Sequence, residues 1–511
     1  MEYAGPKMAL TGKKWSFKLS SLPEVFVSSK AMSSAVSKAV KAARLRKLGS
    51  RLYTKNMTEA PDLIVRRNWH TLLKDYFPDA LLADRTALEN RPAPDGSVFI
   101  ISSGTRGVKL PGITFRPRKG HPPLENDLPF LGDIHLSSAP RAWLENMRKT
   151  RARGAEVART LSKSELEERL DALLRQGGEA ALNKLRDDAR GVSRQLGMPD
   201  ELHVLDELIG AFLGTRDTKL ESPVGRARKR GLPYDPERLE LFELLFEELR
   251  ARSPATRTAA NMTDSAKTNL SFFEAYFSNY IEGTEFLVEE AIDIVFNGVI
   301  PQERPEDAHD ILETYRVVAD YSQMARTPRH FDDFISSLKE RHATIMAMRP
   351  GKMPGQFKSK ENRAGNTHFV LPSLVLGTLA KGFEVYRGIE TPLHRAIFMM
   401  FLVSEIHPFA DGNGRVARIM MNSELVAAGE QKIIIPTVYR DNYVTALKTL
   451  SQSGKSTPFV QVLDFAQRYT GAIQWDDFNK ARADLQATHA FLDANEADDK
   501  GIRLVLPKNV S

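Results

Sequence analysis

The sequence predicts a mainly α-helical protein of three parts and a tail. Three observations carry that expectation. From about residue 256 to 475 apolar residues recur at helical spacing, and the one strand-like interruption is Thr367–Leu371, between Pro350–Gly355 and Pro372. From about 148 to 255 the chain is highly charged, with Leu166, Leu170, Leu173 and Leu174 on a helical repeat that Leu182 and Leu185 resume after Gly177-Gly178. Short β-like runs, Val98–Ser102 and Ile113–Arg116, are confined to the first 147 residues, among turns such as Arg91-Pro92-Ala93-Pro94. The expected parts are therefore 1–147, 148–255, 256–475 and a tail, 476–511, that reads as helical until Asn495–Asp499.

Composition narrows the classes. The chain has 511 residues, and a prior of roughly 150 residues per domain gives about three domains. It is 42% hydrophobic, enough for a core throughout, yet has no apolar run of membrane-spanning length, so no membrane partner is expected. The first twenty residues, which include Lys13, Lys14 and Trp15, lack an apolar stretch and a small-residue cleavage site, so no secretory leader is expected. Cysteine is absent. That excludes disulfides and thiolate zinc sites, and fits a cytoplasmic protein. The formal net charge is +7. From Val25 to Thr58 there is no acidic residue, while Lys30, Lys38, Lys41, Arg44, Arg46, Lys47, Arg51 and Lys55 all fall inside.

The chemistry concentrates after residue 391. Thr391-Pro392 is a helix start, with a capping hydroxyl and proline at the first helical position. The helix that follows is apolar all round (Ile397, Phe398, Met399, Phe401, Leu402, Val403) and is expected to be buried. His407-Pro408-Phe409-Ala410-Asp411-Gly412-Asn413-Gly414-Arg415 then breaks it into a loop, and a second helix begins near Asn413 or Gly414 and stops at Gly429. Glycines at a helix start leave amides free for an anion. Arg415 and Arg418, three apart, present two guanidinium forks suited to polyphosphate. Asp411 offers a hard oxygen for Mg²⁺ bridging phosphates, and His407 a base for an attacking hydroxyl.

This window resembles the signature of the Fic family, H-P-F-x-D-G-N-G-R-x-x-R, and matches at every specified position. The resemblance implies an all-helical core and transfer of AMP from ATP to a Tyr, Ser or Thr side chain of a target protein. It implies His407 as general base, Asp411 as Mg²⁺ ligand, and phosphate contacts from Gly412, Asn413, Gly414, Arg415 and Arg418. It extends to Gly355-Gln356-Phe357-Lys358 and Asn366–Leu371, which in the family form a β-hairpin flap that adds the target's backbone as an extra strand. Phe369 and Val370 would then lie near the modified side chain.

Upstream, Phe273, Phe277 and Tyr280 mark a helix, with Gly283 as its cap. Ser278 and Glu282 lie four apart on one face. The stretch Ser278–Gly283 resembles the Fic inhibitory-helix pattern, [S/T]-x-x-x-E-[G/N]. A Glu282 carboxylate on Arg418 would occupy the place of a γ-phosphate, and displacing such a partly buried pair costs about 2–5 kcal/mol.

In the first part, Ser33–Ala43 reads as a helix with Val36 and Val40 buried, followed by a basic hairpin over Arg44–Thr54. The segment is similar to winged-helix antitoxins of the AbiEi type. That resemblance implies an α+β part contacting DNA through residues 28–56, with Lys38, Lys41, Arg44, Arg46, Lys47 and Arg51 on phosphate. An unliganded basic face is the competing reading. Ser453-Gly454-Lys455-Ser456-Thr457 mimics the end of a phosphate-binding loop, but Thr449 stands where its first glycine belongs, so a helix-to-helix turn is expected. His342 reads as structural.

The leading expectation is an autoinhibited protein adenylyltransferase with ATP as co-substrate and Mg²⁺. The alternatives are a DNA-binding regulator of toxin–antitoxin or defence type whose Fic domain senses nucleotide, and removal of AMP at the same site. A homodimer is a further expectation for partners.

Overall fold

The computed structural model describes residues 22–152, 154 and 156–507; the leader reading of the first twenty residues lies outside them. The chain forms two compact units, one up to Lys229 and one from Arg230. Both are dominated by helices. Among the described residues no helix is long and apolar enough to cross a membrane.

The first unit opens with β1 (Val25–Val27), α1 (Ser33–Lys41), β2 (Arg46–Gly49) and β3 (Leu52–Thr54), then α2 (Pro61–Arg67) and α3 (Trp69–Tyr76). The expected helix and hairpin are present, and β1 completes a three-stranded antiparallel sheet in the order β1-β3-β2. Val36 and Ala39 form the buried face of α1, while Val40 is only half-buried. Lys38, Lys41, Arg44 and Lys47 are exposed. Arg46 and Arg51 differ from the expected pattern. Arg46 donates to the Glu59 carbonyl at 3.0 Å and Arg51 to the Ser28 carbonyl at 2.9 Å, so each guanidinium fastens its own fold.

A six-stranded mixed sheet follows, built from β4 (Leu81–Leu82), β5 (Ser97–Ile101), β6 (Val108–Leu110), β7 (Ile113–Arg118), β8 (Leu128–Leu131) and β9 (Ile134–Leu136), with α4 (Asp84–Glu89) between β4 and β5. The order is β6-β7-β5-β4-β9-β8, with β5–β7 and β4–β9 parallel. The two β-like runs of the sequence are β5 and β7. All five residues of β5 are buried, as a central strand's continuous apolar run requires. Then come α5 (Ala139–Met147), α6 (Lys163–Leu196), α7 (Pro199–Phe212) and α8 (Pro223–Lys229). Gly178 interrupts α6 with φ 63 and ψ −168, the break expected at Gly177-Gly178.

The second unit runs α9 (Pro236–Arg250), α10 (Asp264–Ile281), α11 (Val288–Asn297), α12 (Pro305–Ala319), α13 (Tyr321–Met324) and α14 (Phe331–Ile345). A two-stranded hairpin, β10 (Arg363–Ala364) and β11 (Thr367–His368), follows. The remaining helices are α15 (Val375–Tyr386), α16 (Pro392–Ile406), α17 (Asn413–Ala427), α18 (Arg440–Ser453), α19 (Thr457–Ala472), α20 (Phe478–Ala487) and α21 (Ala494–Asp499). The α16–α17 pair is the centre: nearly every residue of both is buried. The expected breaks at 255 and 475 fall inside this unit. Phe242, Leu245 and Leu249 of α9, and Leu485, Ala490 and Ala497 of the tail, share one apolar core with α16 and α17. Asn495–Asp499, expected to end helix, belongs to α21, which Asp493 caps through the Asn495 and Glu496 amides. Gly454, at φ 65, turns α18 into α19, as expected for the phosphate-loop mimic.

Close packing of α15 fixes one glycine by space alone. A Cβ at Gly377 would lie 2.1 Å from the Pro233 carbonyl oxygen and 2.6 Å from that of Leu232. Gly→Ala in a helix interior ordinarily stabilises by about 1 kcal/mol. Here Gly377→Ala is expected to destabilise by about 1–3 kcal/mol, because rigid backbone has to move. A thermal melt of the variant checks this; a raised transition would contradict the packing.

Candidate functional site

α16 ends because Pro408 cannot extend it. Its cap, His407, has φ 54, a left-handed conformation uncommon outside glycine, asparagine and aspartate. Gly412, at φ 72, opens α17, so the expected start near Asn413 is where the helix begins. Thr391 stands before Pro392, but its hydroxyl is buried and makes no cap bond. The first amides of α17 have no acceptor within the helix, which makes its start an anion cradle.

The loop is held from the side by α14. His342 is fully buried and its ring lies flat on Phe409, 3.7 Å between centroids at 3°. The Gly355 amide donates to its Nδ1 at 2.9 Å. Nδ1 must therefore carry the lone pair, and Nε2–H donates to the Asp411 carbonyl at 3.0 Å. Burial is the main reason its pKa falls to about 4, with Arg415 adding to it. Phe409 is tied again by Asn413, whose side chain accepts from the Phe409 amide at 2.8 Å and donates to its carbonyl at 2.9 Å. Asn413, expected against phosphate, thus has its side chain engaged in closing the loop.

His407 faces a cavity of about 210 Å³ that Glu282, Phe369, Gly414, Arg418 and Tyr443 also line. Its ring stacks on Phe369, 3.7 Å between centroids at 8°. Nδ1 is 3.3 Å from the Ser404 carbonyl, which can only accept. The proton is therefore on Nδ1 and the free lone pair on Nε2. Burial, reinforced by the Lys358 charge, holds its pKa down to about 4, so the neutral ring dominates at neutral pH.

Arg418 reaches this cavity from α17 and is claimed by α10. Its Nε donates to the Ser278 hydroxyl at 2.9 Å, and its Nη2 to the Ser278 carbonyl at 2.8 Å and to Glu282 Oε1 at 2.7 Å. Glu282 caps α10 and lies against Gly414, where an added Cβ would come within 2.1 Å of Oε1. Gly283, at φ 88, turns the chain away. Arg415 differs from expectation. It is buried in an ion pair with Asp310 at 2.7 Å and is not among the cavity's lining residues. Asn279 accepts from it at 3.3 Å. An acidic neighbour on α12 has captured it, which spacing along α17 could not reveal.

Asp411 is half-exposed and pairs with Lys352 at 3.1 Å. Burial opposes its ionisation, but the Gly412 amide, Lys352 and Arg415 outweigh that and hold its carboxyl below the usual range. Among the described residues no cluster of three His, Asp or Glu side chains forms a ready cation cage.

The hairpin β10–β11 overhangs the cavity, with Ala364 and Thr367 on its wall and Gly365 at the turn. It is shorter than the strand-like run Thr367–Leu371. Phe369 caps His407, whereas Val370, expected beside the target, is 1% exposed and packs into the core. Sequence reasoning quoted Lys358 but missed its role. Its amide donates to the Pro408 carbonyl at 2.9 Å and its Nζ to Asn362 at 2.7 Å. Burial lowers its pKa to about 7. Arg238, also missed, pairs with Glu405 and donates to the His368 carbonyl at 2.6 Å. Tyr443 and Asn362 were missed too. All come from distant segments, so no spacing rule could bring them together.

A neutral base, a helix start and a guanidinium thus meet around one cavity. The chain carries a Fic domain: residues 333–425 match the Fic/DOC family. Protein adenylyltransferase Fic of Drosophila willistoni is 26% identical over 270 residues, 51% of this chain and 53% of that protein. Protein adenylyltransferase fic-1 of Caenorhabditis briggsae is 24% identical over 218 residues, 41% of this chain and 43% of that one. The chain thus spans about half the length of the curated relatives it matches. A Fic-domain-containing signalling protein of Bacteroides thetaiotaomicron is 20% identical over 46% of this chain and 94% of its own, with a TM-score of 0.36.

The two neutral histidines set a pH dependence. Unfolded imidazoles titrate near 6.5, while the folded pKa of His342 and of His407 is about 4. Between those values the unfolded chain binds more protons, so their contribution to stability is complete above about 6.5 and declines as pH falls toward 4. Melts at pH 7.5 and pH 5 should show a lower transition at pH 5; an increase on acidification would rule this out.

Proposed function

We propose that the chain is a protein adenylyltransferase, transferring AMP from ATP to a hydroxyl side chain of a target protein, and that Glu282 holds it inactive. The observation that carries this reading is the single cavity where His407 Nε2, the start of α17 and Arg418 meet, with Glu282 already on Arg418.

The chemistry follows from these groups. The target hydroxyl oxygen attacks the α-phosphorus of ATP while Nε2 of His407 takes its proton. A new O–P bond forms, the bond from the α-phosphorus to the bridging oxygen breaks, and pyrophosphate leaves with the electron pair. The low pKa of His407 keeps Nε2 free at neutral pH. Its left-handed cap and its plate on Phe369 fix the direction in which it points. The first amides of α17 cradle phosphate oxygens. Arg418, once free, clamps the terminal phosphate.

Asp411 suits Mg²⁺. Magnesium is commonly held by one or two carboxylates together with substrate phosphates, and this carboxylate is half-exposed and kept ionised. The ion would neutralise phosphate charge. Phe369 and the β10–β11 edge support docking of an extended target segment by strand addition. Val370 supports the flap from beneath.

Glu282 inhibits by competition. Its carboxylate takes the guanidinium that a γ-phosphate needs and sets negative charge beside Gly414. Displacing it costs about 2–5 kcal/mol. Glu282→Gly is therefore expected to raise incorporation of label from α-phosphate-labelled ATP by more than about tenfold; labelling no greater than wild type would remove Glu282 from this role. His407→Ala is expected to abolish labelling while leaving the thermal transition within a few degrees of wild type. If label still transferred, another group would be the base. Label arriving from the γ-phosphate instead would mean kinase chemistry.

A further inference from the structure

α14 turns a second face toward a wider pocket of about 570 Å³, walled by α12, α13, the 325–330 segment and α14. No residue lining it also lines the His407 cavity. Four arginines border it, Arg316, Arg326, Arg329 and Arg341, together with the acids Asp320, Asp333 and Glu340.

The charges on its wall are unequally engaged. Asp320 accepts from the Ser322 hydroxyl at 2.7 Å and the Gln323 amide at 3.0 Å. Asp333 caps α14 through the His330 amide at 3.2 Å. Arg316 pairs with Glu313 at 2.5 Å. Arg326 acts on the Asp320 charge and Glu340 on that of Arg341, but among the described residues no carboxylate is seen in a close ion pair with Arg326, Arg329 or Arg341. Arg341 is the most telling of the three. Its guanidinium donates to the Met420 sulfur at 2.8 Å and to the Gln323 and Arg326 carbonyls at 3.4 Å each. A thioether is a weak acceptor and the carbonyl bonds are long. Burial pulls its pKa down to about 10 against the opposing charges of Glu424 and Glu340. A partly desolvated cation with weak partners gains from a counterion.

We propose that this pocket is a binding site for a small phosphorylated ligand carrying at least two negative charges. Guanidinium forks match phosphate oxygens in pairs. Three of them on one pocket suit a compact polyanion, and the volume lies in the range of small-molecule sites. Arg341 is adjacent to His342, which holds the Asp411 carbonyl, and Met420 is two residues beyond Arg418. An anion here therefore sits against α14, whose His342 holds the loop, and beside α17, which carries Arg418.

The test is calorimetric titration of the full chain with inorganic pyrophosphate, in parallel with Arg418→Gln, which removes the phosphate-facing guanidinium of the other cavity. Arg418→Gln is expected to retain binding, and affinity should fall with added salt. The exposed rim pair Arg326→Gln/Arg329→Gln, which leaves the core intact, is expected to weaken binding by at least about tenfold, as is Arg341→Gln. Loss of binding in Arg418→Gln, or an unchanged affinity in the rim pair, overturns the proposal. A hexaglutamate peptide that binds tighter than pyrophosphate, with the same dependence on Arg326 and Arg329, also overturns it and makes the pocket a site for acidic peptide.

Discussion

A polar loop strung between two buried helices has to find a partner for every carbonyl it carries, and that requirement organises the second unit. The carbonyl of Ile406 faces the Lys358 ammonium and that of Pro408 the Lys358 amide. Phe409 is bound twice, by Asn413 and by Asn362. Asp411 meets His342, and Gly412 accepts from Val416. Most of these carbonyls are held by groups outside the loop, while the first amides of α17 have no acceptor within the helix. An anion cradle is the result of that accounting.

Two imidazole–phenyl plates reinforce it. His342 on Phe409 and His407 on Phe369 are each nearly parallel at 3.7 Å. In both, a carbonyl fixes which nitrogen carries the proton, and burial keeps the ring neutral. The same physics serves opposite ends. His342 has both nitrogens engaged and can only hold. His407 has one engaged and one lone pair free, so it can accept a proton.

The window from His407 to Arg418 was legible because its groups lie within twelve residues of chain and the helices on either side have unmistakable apolar character. Ser278 and Glu282 were legible for the same local reason, since a helix face is set by spacing alone. What stayed hidden was decided by partners far away in sequence. Asp310 of α12 draws Arg415 into the interior, and Phe409 takes the side chain of Asn413. The flap was expected as a strand over Thr367–Leu371, but only two residues pair, because Val370 turns inward to the core. In the first unit β5 and β7 announced themselves by apolar runs, whereas β4, β6, β8 and β9, of two to four residues, carried too little pattern to read.

The bare α-carbon of Gly414 has a thermodynamic corollary. The face it leaves open is filled by the Glu282 carboxylate so tightly that even a methyl group could not share it. Occupancy by any other atom and occupancy by that carboxylate are thus alternative outcomes of one equilibrium. On the proposed function, a ligand at the helix start and an ordered end of α10 would oppose each other by one coupling factor, equal in both directions. The junction of α10 and α17 is in this sense a two-way valve, readable from either side.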